Sequence, residues 1–188
     1  MKPNKNYVYK FMPTVLGKLK LIASDQGLAA ILWENDKPAR VRLGTLTEDK
    51  KHPILLQAER ELAEYLAGKR KVFSVKFDPA GTPFQSKVWE ALEKIPFGET
   101  RSYSSIAKQI GNERAVRAVG AAIGRNPISV MVPCHRVIGA SGDLTGFAGG
   151  LETKKFLLSL EGCGNAKKPD FRMEKGREAG RARRSKAI

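Results

Sequence analysis

The segment 128–138 contains the residues of this sequence that are best suited to covalent chemistry. It reads ISVMVPCHRVI, so that a cysteine stands next to a histidine and an arginine in an otherwise apolar run. Cysteine reacts as the thiolate, and its reference pKa of about 8.5 means that it needs a base or a positive charge nearby at neutral pH. His135 can be that base and Arg136 can supply that charge. We predict that Cys134 is a nucleophile at the end of a buried β-like run that Pro133 interrupts, although these residues alone are equally compatible with an inert buried thiol.

The cysteine and histidine content limits the other kinds of site. Cys134 and Cys163 are the only cysteines, and His52 and His135 the only histidines, in 188 residues. Two cysteines do not make a disulfide framework, which excludes the small disulfide-stapled proteins. Four Cys or His ligands spaced for a structural zinc ion are not available either. We predict no metal and no cofactor.

The net charge favours a polyanionic partner. It is +15 at pH 7, of which residues 163–188 contribute +6 through nine Lys or Arg and three Asp or Glu, so residues 1–162 carry +9. Such a basic chain is drawn to nucleic acid or to an anionic membrane surface, and a solvated surface without a partner explains the charge equally well. No apolar run approaches the roughly 18 residues of a membrane span, and the N-terminus lacks the apolar segment of a signal peptide. We therefore expect a soluble protein that stays inside the cell.

The N-terminal elements alternate between strand and helix patterns. Apolar residues suited to strands occupy 7–11, 16–22 and 28–33, with a turn before the third segment, which predicts a small antiparallel meander. Pro53 can open a helix whose apolar residues recur at helical spacing until residue 68. A further strand is predicted over 72–77. Together these elements predict an α+β unit that carries no visible chemistry.

The residues that follow this unit predict a domain boundary. The segment 78–83 reads DPAGTP, a dense cluster of helix and strand breakers that is typical of a linker. We divide the chain into an N-terminal α+β domain over 1–80, a domain over 81–162 that contains the reactive segment, and a basic tail over 163–188. The tail has few apolar residues, so we expect it to be disordered and to act as a basic arm on DNA.

The second domain is predicted to be mainly helical. Thr82 can cap a first helix with Pro83 at its first position, Ser102 can cap a second, and a third begins after Asn112. Two short helices joined by a turn that contains Gly111 have the outline of a helix-turn-helix motif. Helical hairpins of this size also occur as ordinary core packing, and this pattern does not separate the two interpretations.

The motif PCHRV at 133–137 resembles the active-site signature of the O6-alkylguanine-DNA alkyltransferases. The neighbouring motifs agree in order and spacing over 82–162, and the similarity extends more loosely over the N-terminal domain. The resemblance implies an α+β fold, with a small ribonuclease-H-like antiparallel sheet and helix followed by a helix-turn-helix domain that carries the cysteine. It also implies a suicide mechanism, in which the alkyl group of a flipped guanine is transferred once and irreversibly to the protein's own thiol.

The resemblance assigns roles in the reaction residue by residue. Cys134 accepts the alkyl group, and one nitrogen of His135 draws the thiol proton through a water molecule. Glu161 holds the other nitrogen of the histidine, as in a catalytic triad. Tyr103 donates its hydroxyl to N3 of the guanine that leaves. Asn126 lies in the hinge between the recognition helix and the reactive segment.

Further residues are implied in DNA binding and in the base pocket. Arg117 corresponds to the arginine finger that fills the space left by the flipped nucleotide, and Arg136 and Tyr103 are further expected DNA contacts. Backbone carbonyl groups of the reactive cysteine and Val137 would accept from the exocyclic amine of guanine. The loop 144–150 would close the pocket; there Phe147 replaces a tyrosine of many relatives and Ala148 a serine of some, which leaves the accepted alkyl size open.

The expected partner is double-stranded DNA that contains O6-alkylguanine, with no membrane and no obligate protein partner. O4-alkylthymine stays open as a second substrate. The expected location is the cytoplasm, associated with the nucleoid, in a bacterium, or the nucleus in a eukaryote. Two other classes are weighed against this function. A non-catalytic lesion-binding protein would lack the reactive cysteine, and a thiol hydrolase that uses Cys134 and His135 would turn over.

Overall fold

The N-terminal half of the chain is built on a small antiparallel sheet. The computed structural model describes residues 5–38 and 40–163. Three strands, β1 (Tyr7–Thr14), β2 (Gly17–Ser24) and β3 (Gly27–Leu32), pair antiparallel in chain order, as the alternating residues predict. The α+β class and the antiparallel meander are therefore confirmed.

A fourth strand and one helix complete this half. The short strand β4 (Leu46–Glu48) pairs parallel with β1, so the sheet order is β3-β2-β1-β4. The predicted helix is present as α1 (Pro53–Leu66), with a proline in its first turn. The helix packs on the sheet because its apolar residues share one face, and the buried ones are Leu55, Ala58, Leu62 and Tyr65.

The prediction of a strand over 72–77 is wrong. Only Phe77 forms an isolated bridge to β3, and the rest of the segment is irregular. The backbone amide groups of Ser74 and Val75 donate to the carboxylate of Glu61, over 2.8 and 3.2 Å, instead of to a neighbouring strand. A buried amide needs a partner, and here a side chain from α1 replaces the sheet.

Four helices form most of the second half: α2 (Pro83–Glu93), α3 (Tyr103–Gln109), α4 (Val116–Gly124) and α5 (Leu151–Leu160). The predicted caps are confirmed. Thr82 and Gln85 form a reciprocal capping box, and the Ser102 hydroxyl accepts from the Ser105 amide over 3.1 Å. The third predicted helix begins as one 3-10 turn (Glu113–Ala115) and continues as α4, so α3 and α4 have the helix-turn-helix order.

The reactive segment is a buried turn and not the β-like run that its apolar residues predict. Residues 128–132 form only isolated bridges, and Val130 adopts a positive φ of 76°, a strained conformation for a β-branched residue. The turn leads into a 3-10 helix (Cys134–Arg136) and then β6 (Val137–Ile138), which pairs parallel with β5 (Arg101–Ser102).

The two halves share one hydrophobic core within the described residues. Buried side chains of the sheet, α1, α2, α4 and the reactive turn form a single cluster. The amide of Ile31 in β3 donates to the carbonyl of Pro127 over 2.8 Å, which joins the sheet to the reactive turn. No helix among residues 5–38 and 40–163 is long and apolar enough to span a membrane. Of the tail predicted over 163–188, residues 164–188 lie outside the described part of the chain.

Candidate active site

Cys134 is the first residue of the buried 3-10 helix that follows the reactive turn. Its side chain is 6% exposed, and burial raises the pKa of the thiol. A hydrogen bond from the side chain of Asn126 and the positive charges of Arg40 and Lys154 act in the opposite direction. Burial is the largest of these effects, so the resting sulfur keeps its proton. A nucleophile held in this form needs a base that takes the proton as it reacts.

His135 follows Cys134 directly in the chain and has the chemistry of a general base. The imidazole is fully buried, and its Nε2 atom lies 2.8 Å from Oε1 of Glu161. Its Nδ1 atom is buried and has no hydrogen-bond partner among the described residues. Burial lowers the pKa of His135 against the opposing effect of Glu161, which favours the neutral imidazole. A neutral ring anchored at one nitrogen has the other nitrogen free to accept a proton.

Glu161 is the C-terminal cap residue of α5 and the charged member of a buried hydrogen-bonded group with His135 and Arg136, which together with Cys134 we call the relay. Arg136 donates Nε to Oε2 over 2.7 Å and Nη2 to Oε1 over 2.9 Å, and the Gly98 amide donates to Oε2 over 3.3 Å. Burial raises the pKa of Glu161, but the hydrogen bonds of His135 and Arg136 outweigh it and lower the pKa to about 2. The group is therefore a carboxylate throughout the range in which proteins work.

The predicted contact of Arg136 with DNA is not what the structure shows. The side chain is buried, its Nη1 atom donates to the carbonyl of Ile95 over 2.6 Å, and its other donors face Glu161. A guanidinium with its donors occupied inside the protein is not available to a phosphate. Its effect on the site is to hold Glu161 ionised, and the charges that act on the thiol come from Arg40 and Lys154 instead.

Tyr65 joins the relay from the N-terminal half, and the sequence analysis missed it. Its hydroxyl donates to Oε1 of Glu161 over 2.5 Å and lies 3.4 Å from Nε2 of His135. In the sequence it is one of several apolar positions on α1, and nothing local distinguishes it from a core residue. Only the tertiary structure reveals the contact.

Asn126 ties the end of α4 to the reactive turn. Its Nδ2 atom donates to the carbonyl of Val132 over 2.8 Å, and its Oδ1 atom accepts from the Ile128 amide over 3.0 Å. The side chain is 2% exposed. These bonds replace strand pairing in the turn and place the amide next to the sulfur of Cys134, so the residue lies at the junction that the sequence analysis assigned to it.

A cavity of about 710 Å³ lies between α3, α4 and the loop after β6, and Phe147 in its wall packs edge-on against the imidazole of His135, with centroids 6.4 Å apart. Among its lining residues are three that the sequence analysis assigned to catalysis or the base pocket: Tyr103, Phe147 and Ala148. The Tyr103 hydroxyl accepts from Thr145 over 2.9 Å, so its own proton is free to be donated. Arg40 and Gly120 also line the cavity, which is large enough for a purine base.

A buried lysine in α5 fixes the loop 144–150, which borders this cavity. Lys154 is fully buried in α5, and its Nζ atom donates to the carbonyls of Val137 over 2.6 Å and Thr145 over 2.9 Å. Val137 is itself buried, and a carbonyl oxygen that accepts one bond can accept a second. Lys154 lies three residues before buried Leu157, so the two residues share one face of α5. This spacing could have predicted from the sequence that the lysine is buried.

The N-terminal half supports the same loop. The ring of Trp33 packs edge-on against Phe147, with centroids 5.6 Å apart. A Cβ atom at Gly149 would lie only 2.8 Å from the indole, so only glycine allows this approach. The Arg40 guanidinium donates to the backbone carbonyl of Asn126 and forms an ion pair with Asp36. These contacts place the cavity at the junction of the two halves.

Arg117 lies apart from the relay. It projects from the first turn of α4 with an exposed side chain, as does Arg114 in the preceding 3-10 turn. The structure thus leaves it available to a partner. Among the described residues, no group of three His, Cys, Asp or Glu side chains is arranged to hold a metal ion.

The sequence and fold match those of known proteins over most of the chain. Residues 7–79 match the family model described as 6-O-methylguanine DNA methyltransferase, ribonuclease-like domain, and residues 83–163 match its DNA binding domain. The methylated-DNA–protein-cysteine methyltransferase of Methanosarcina acetivorans is 47% identical over 154 residues, which cover 82% of this chain and 97% of that protein. The corresponding protein of Mycobacterium leprae is 52% identical over 150 residues, covering 80% and 89%.

A solved structure agrees with these matches. The Mycobacterium tuberculosis OGT in complex with DNA superposes with a TM-score of 0.75 at 44% identity, covering 82% of this chain and 92% of that one. Both halves of the chain, in sequence and in fold, therefore lead to one conclusion: this chain belongs to the 6-O-methylguanine DNA methyltransferase family.

Proposed function

We propose that this chain repairs O6-alkylguanine in double-stranded DNA by moving the alkyl group to Cys134, once per molecule. Family membership gives the coarser statement, which is methyltransferase activity toward DNA in repair, with DNA as the partner. The observation that carries the finer proposal is the buried His135–Glu161 pair directly after Cys134 in the chain, with the imidazole edge-on to Phe147 in the wall of a cavity of base size. It unites a nucleophile, a base and an orienting carboxylate in one place.

The bonds formed and broken in the proposed reaction balance without a cofactor. The thiol proton of Cys134 passes to His135, while the sulfur attacks the alkyl carbon. A sulfur–carbon bond forms, the carbon–O6 bond breaks, and the electron pair of that bond stays on guanine. Guanine then takes up one proton, so the net exchange is an alkyl group for a hydrogen. The thioether product has no leaving group that water displaces readily, so each molecule reacts once.

The position of the thiol requires the base to leave the duplex. Cys134 is almost fully buried, and an alkyl carbon inside the base stack cannot approach it. Tyr103, with its hydroxyl proton free, would donate to the base in the cavity. Phe147 and Ala148 would bound it on the side of the loop, and the carbonyls of Cys134 and Val137 each keep one lone pair for the guanine amine.

Exposed Arg117 at the start of α4 would occupy the stack in place of the flipped base. This assignment is supported by the exposure of the side chain and by the helix-turn-helix order of α3 and α4. The net charge of the chain, +15, favours association with the phosphates around it.

The test is the amount of repair as a function of time with methylated duplex in excess. The proposal predicts that guanine is restored up to one equivalent of protein and then no further. Cys163→Ser, which changes the half-exposed cysteine, should reach the same limit, and Cys134→Ser should restore none while still binding the lesion. Repair that continues past one equivalent would identify a turnover enzyme and end the proposal.

A further inference from the structure

Tyr65 is the only residue outside the second half that contacts the relay directly among the hydrogen bonds of the described residues. It lies in the last turn of α1, on the face that packs against the sheet, and its side chain is fully buried. The ring is held between Phe73, at a centroid distance of 5.3 Å, and Phe97, at 6.3 Å. Phe97 also faces the guanidinium of Arg136. The tyrosine is therefore clamped in one orientation.

Its hydroxyl shares an acceptor with the catalytic histidine. Oε1 of Glu161 receives Tyr65 over 2.5 Å, His135 over 2.8 Å and Arg136 over 2.9 Å. Burial and the charge of Glu161 raise the pKa of Tyr65, so it is always a donor at this position. A buried tyrosine needs a partner for its hydroxyl, but any backbone carbonyl would meet that need. The choice of this oxygen gives the contact a chemical consequence.

Resting on the function proposed above, we propose that Tyr65 is a positioning residue for alkyl transfer. Through its hydroxyl, the N-terminal half holds Glu161 in place and limits the basicity of His135. Donors on one carboxylate oxygen compete for its negative charge. With the hydroxyl present, Glu161 is a weaker acceptor, and the imidazolium is stabilised less. The histidine therefore stays neutral in the resting site and is ready to accept the proton of Cys134.

The groups that face His135 agree with this balance. Glu161 favours its protonated form, whereas Arg136 and Lys154 oppose it, and burial has the largest effect against it. Tyr65 is uncharged and acts through Glu161. If its hydroxyl is removed, Glu161 interacts more strongly with the imidazole, so the pKa of His135 rises. A histidine that is protonated at higher pH is no longer a base under mildly acidic conditions.

Tyr65→Phe is the direct test because the aromatic ring and its packing remain. The His135 imidazole should titrate at higher pH in the variant than in the natural protein when both are followed by nuclear magnetic resonance. Only one other histidine, His52, is present in the sequence, so only two imidazoles have to be assigned in the spectrum. The matched control is Tyr9→Phe, which removes a hydroxyl from a tyrosine that packs on Phe11 in the sheet. It should leave the His135 titration unchanged.

The rate of reaction with free O6-methylguanine gives the second measurement. The rate of the natural protein divided by that of Tyr65→Phe should grow as the pH falls, to about tenfold, and approach one at alkaline pH. If Tyr65 were only structural, Tyr65→Phe would lower the rate by the same factor at every pH and would not shift the pH at which His135 titrates. Either of these results would overturn the proposal. The titration needs no alkyl transfer, so a protein that fails to react would refute the proposed function without deciding the role of Tyr65.

Discussion

At the scale of single residues, the site places a protonated thiol, that of Cys134, next in the chain to a neutral imidazole, that of His135. Burial raises the pKa of Cys134 and lowers that of His135, so in both residues it favours the uncharged form. Glu161 is the exception, since the hydrogen bonds of His135 and Arg136 keep it ionised against the effect of burial. A thiol that ionises only as it reacts is protected from the many electrophiles and oxidants that attack an exposed thiolate. The chemistry then depends on the histidine.

His135→Ala should therefore slow alkyl transfer to the same extent for methylated duplex and for free O6-methylguanine. Thiolate formation precedes both reactions, and a general base contributes about 100-fold or more. Single-turnover rates on the two substrates measure this, and His52→Ala is the control because that residue lies outside the relay. Unchanged rates with His135→Ala would show that the thiol ionises without it.

The same experiment with Glu161→Gln has a second effect that the structure predicts. Arg136 would lose its charged partner inside the protein, at a cost of about 3–5 kcal/mol in the free energy of unfolding. The histidine variant leaves this ion pair intact. It is thus the cleaner measure of the relay.

The reactive pair could be predicted from the sequence, but most of the groups that control it could not. Cys134 and His135 are neighbours in the chain, and their chemistry is visible in their types. Tyr65 and Arg40 reach the site from elements far away in the sequence, and neither has a local pattern that reveals it. Arg136 has the type of a DNA contact, but its burial against Glu161 is a tertiary fact.

At the scale of the elements, the proposed function assigns DNA contact to α4 and the chemistry to the buried residues around Cys134. Arg117→Ala should slow transfer from duplex far more than transfer from the free base, because only the duplex has a vacated stack to fill, and unstacking costs a few kcal/mol. The control is Arg114→Ala, which removes an equally exposed arginine from the preceding turn. Equal slowing on both substrates would place Arg117 in the cavity or in the fold instead.

The helices were predictable because their start signals are local, whereas two apolar runs were misread as strands. The box of Thr82 and Gln85 and the cap at Ser102 are short-range patterns. The segments 72–77 and 128–132 have strand-like composition, but side chains take over their backbone partners. In the first segment, the carboxylate of Glu61 in α1 accepts from the backbone amides. In the second, the side-chain amide of Asn126 donates to a backbone carbonyl.

Glu61 gives the first of these segments a pH-dependent stability. Its carboxylate accepts from two backbone amides, from the Ser74 hydroxyl and from Gln57. Burial raises its pKa, but these bonds together lower it from 4.5 to about 2. A folded-state pKa below the unfolded one stabilises the protein fully above pH 4.5, and this contribution is lost as the pH falls toward 2.

Glu61→Gln should accordingly reduce the free energy of unfolding by about 2 kcal/mol at neutral pH. The difference from the natural protein should shrink as the pH falls from 4.5 toward 2. Glu64→Gln is the control, since Glu64 lies on the same helix with a half-exposed side chain, whose ion-pair partner among the described residues is Arg70. Denaturant unfolding at several pH values measures both, and a constant difference across this range would refute the assignment.

At the scale of the whole molecule, the cavity lies where the two halves meet. Trp33 supports the loop that carries Phe147, the backbone of Ile31 joins the sheet to the reactive turn, and Tyr65 reaches Glu161. Among the described residues, the N-terminal half thus contacts the buried carboxylate, the start of the reactive turn and the loop over the cavity. We infer that its role, which the sequence left open, is to support the relay and the loop over the cavity.

The central claim is that one alkyl group is transferred to one named sulfur. The most direct measurement is mass spectrometry of the intact protein, followed by peptide mapping, after reaction with an excess of duplex that contains O6-methylguanine. The account predicts one added methyl group per molecule, located entirely on Cys134, with Cys163 unmodified. A methyl group on Cys163, or DNA that is repaired while Cys134 remains free, would contradict it.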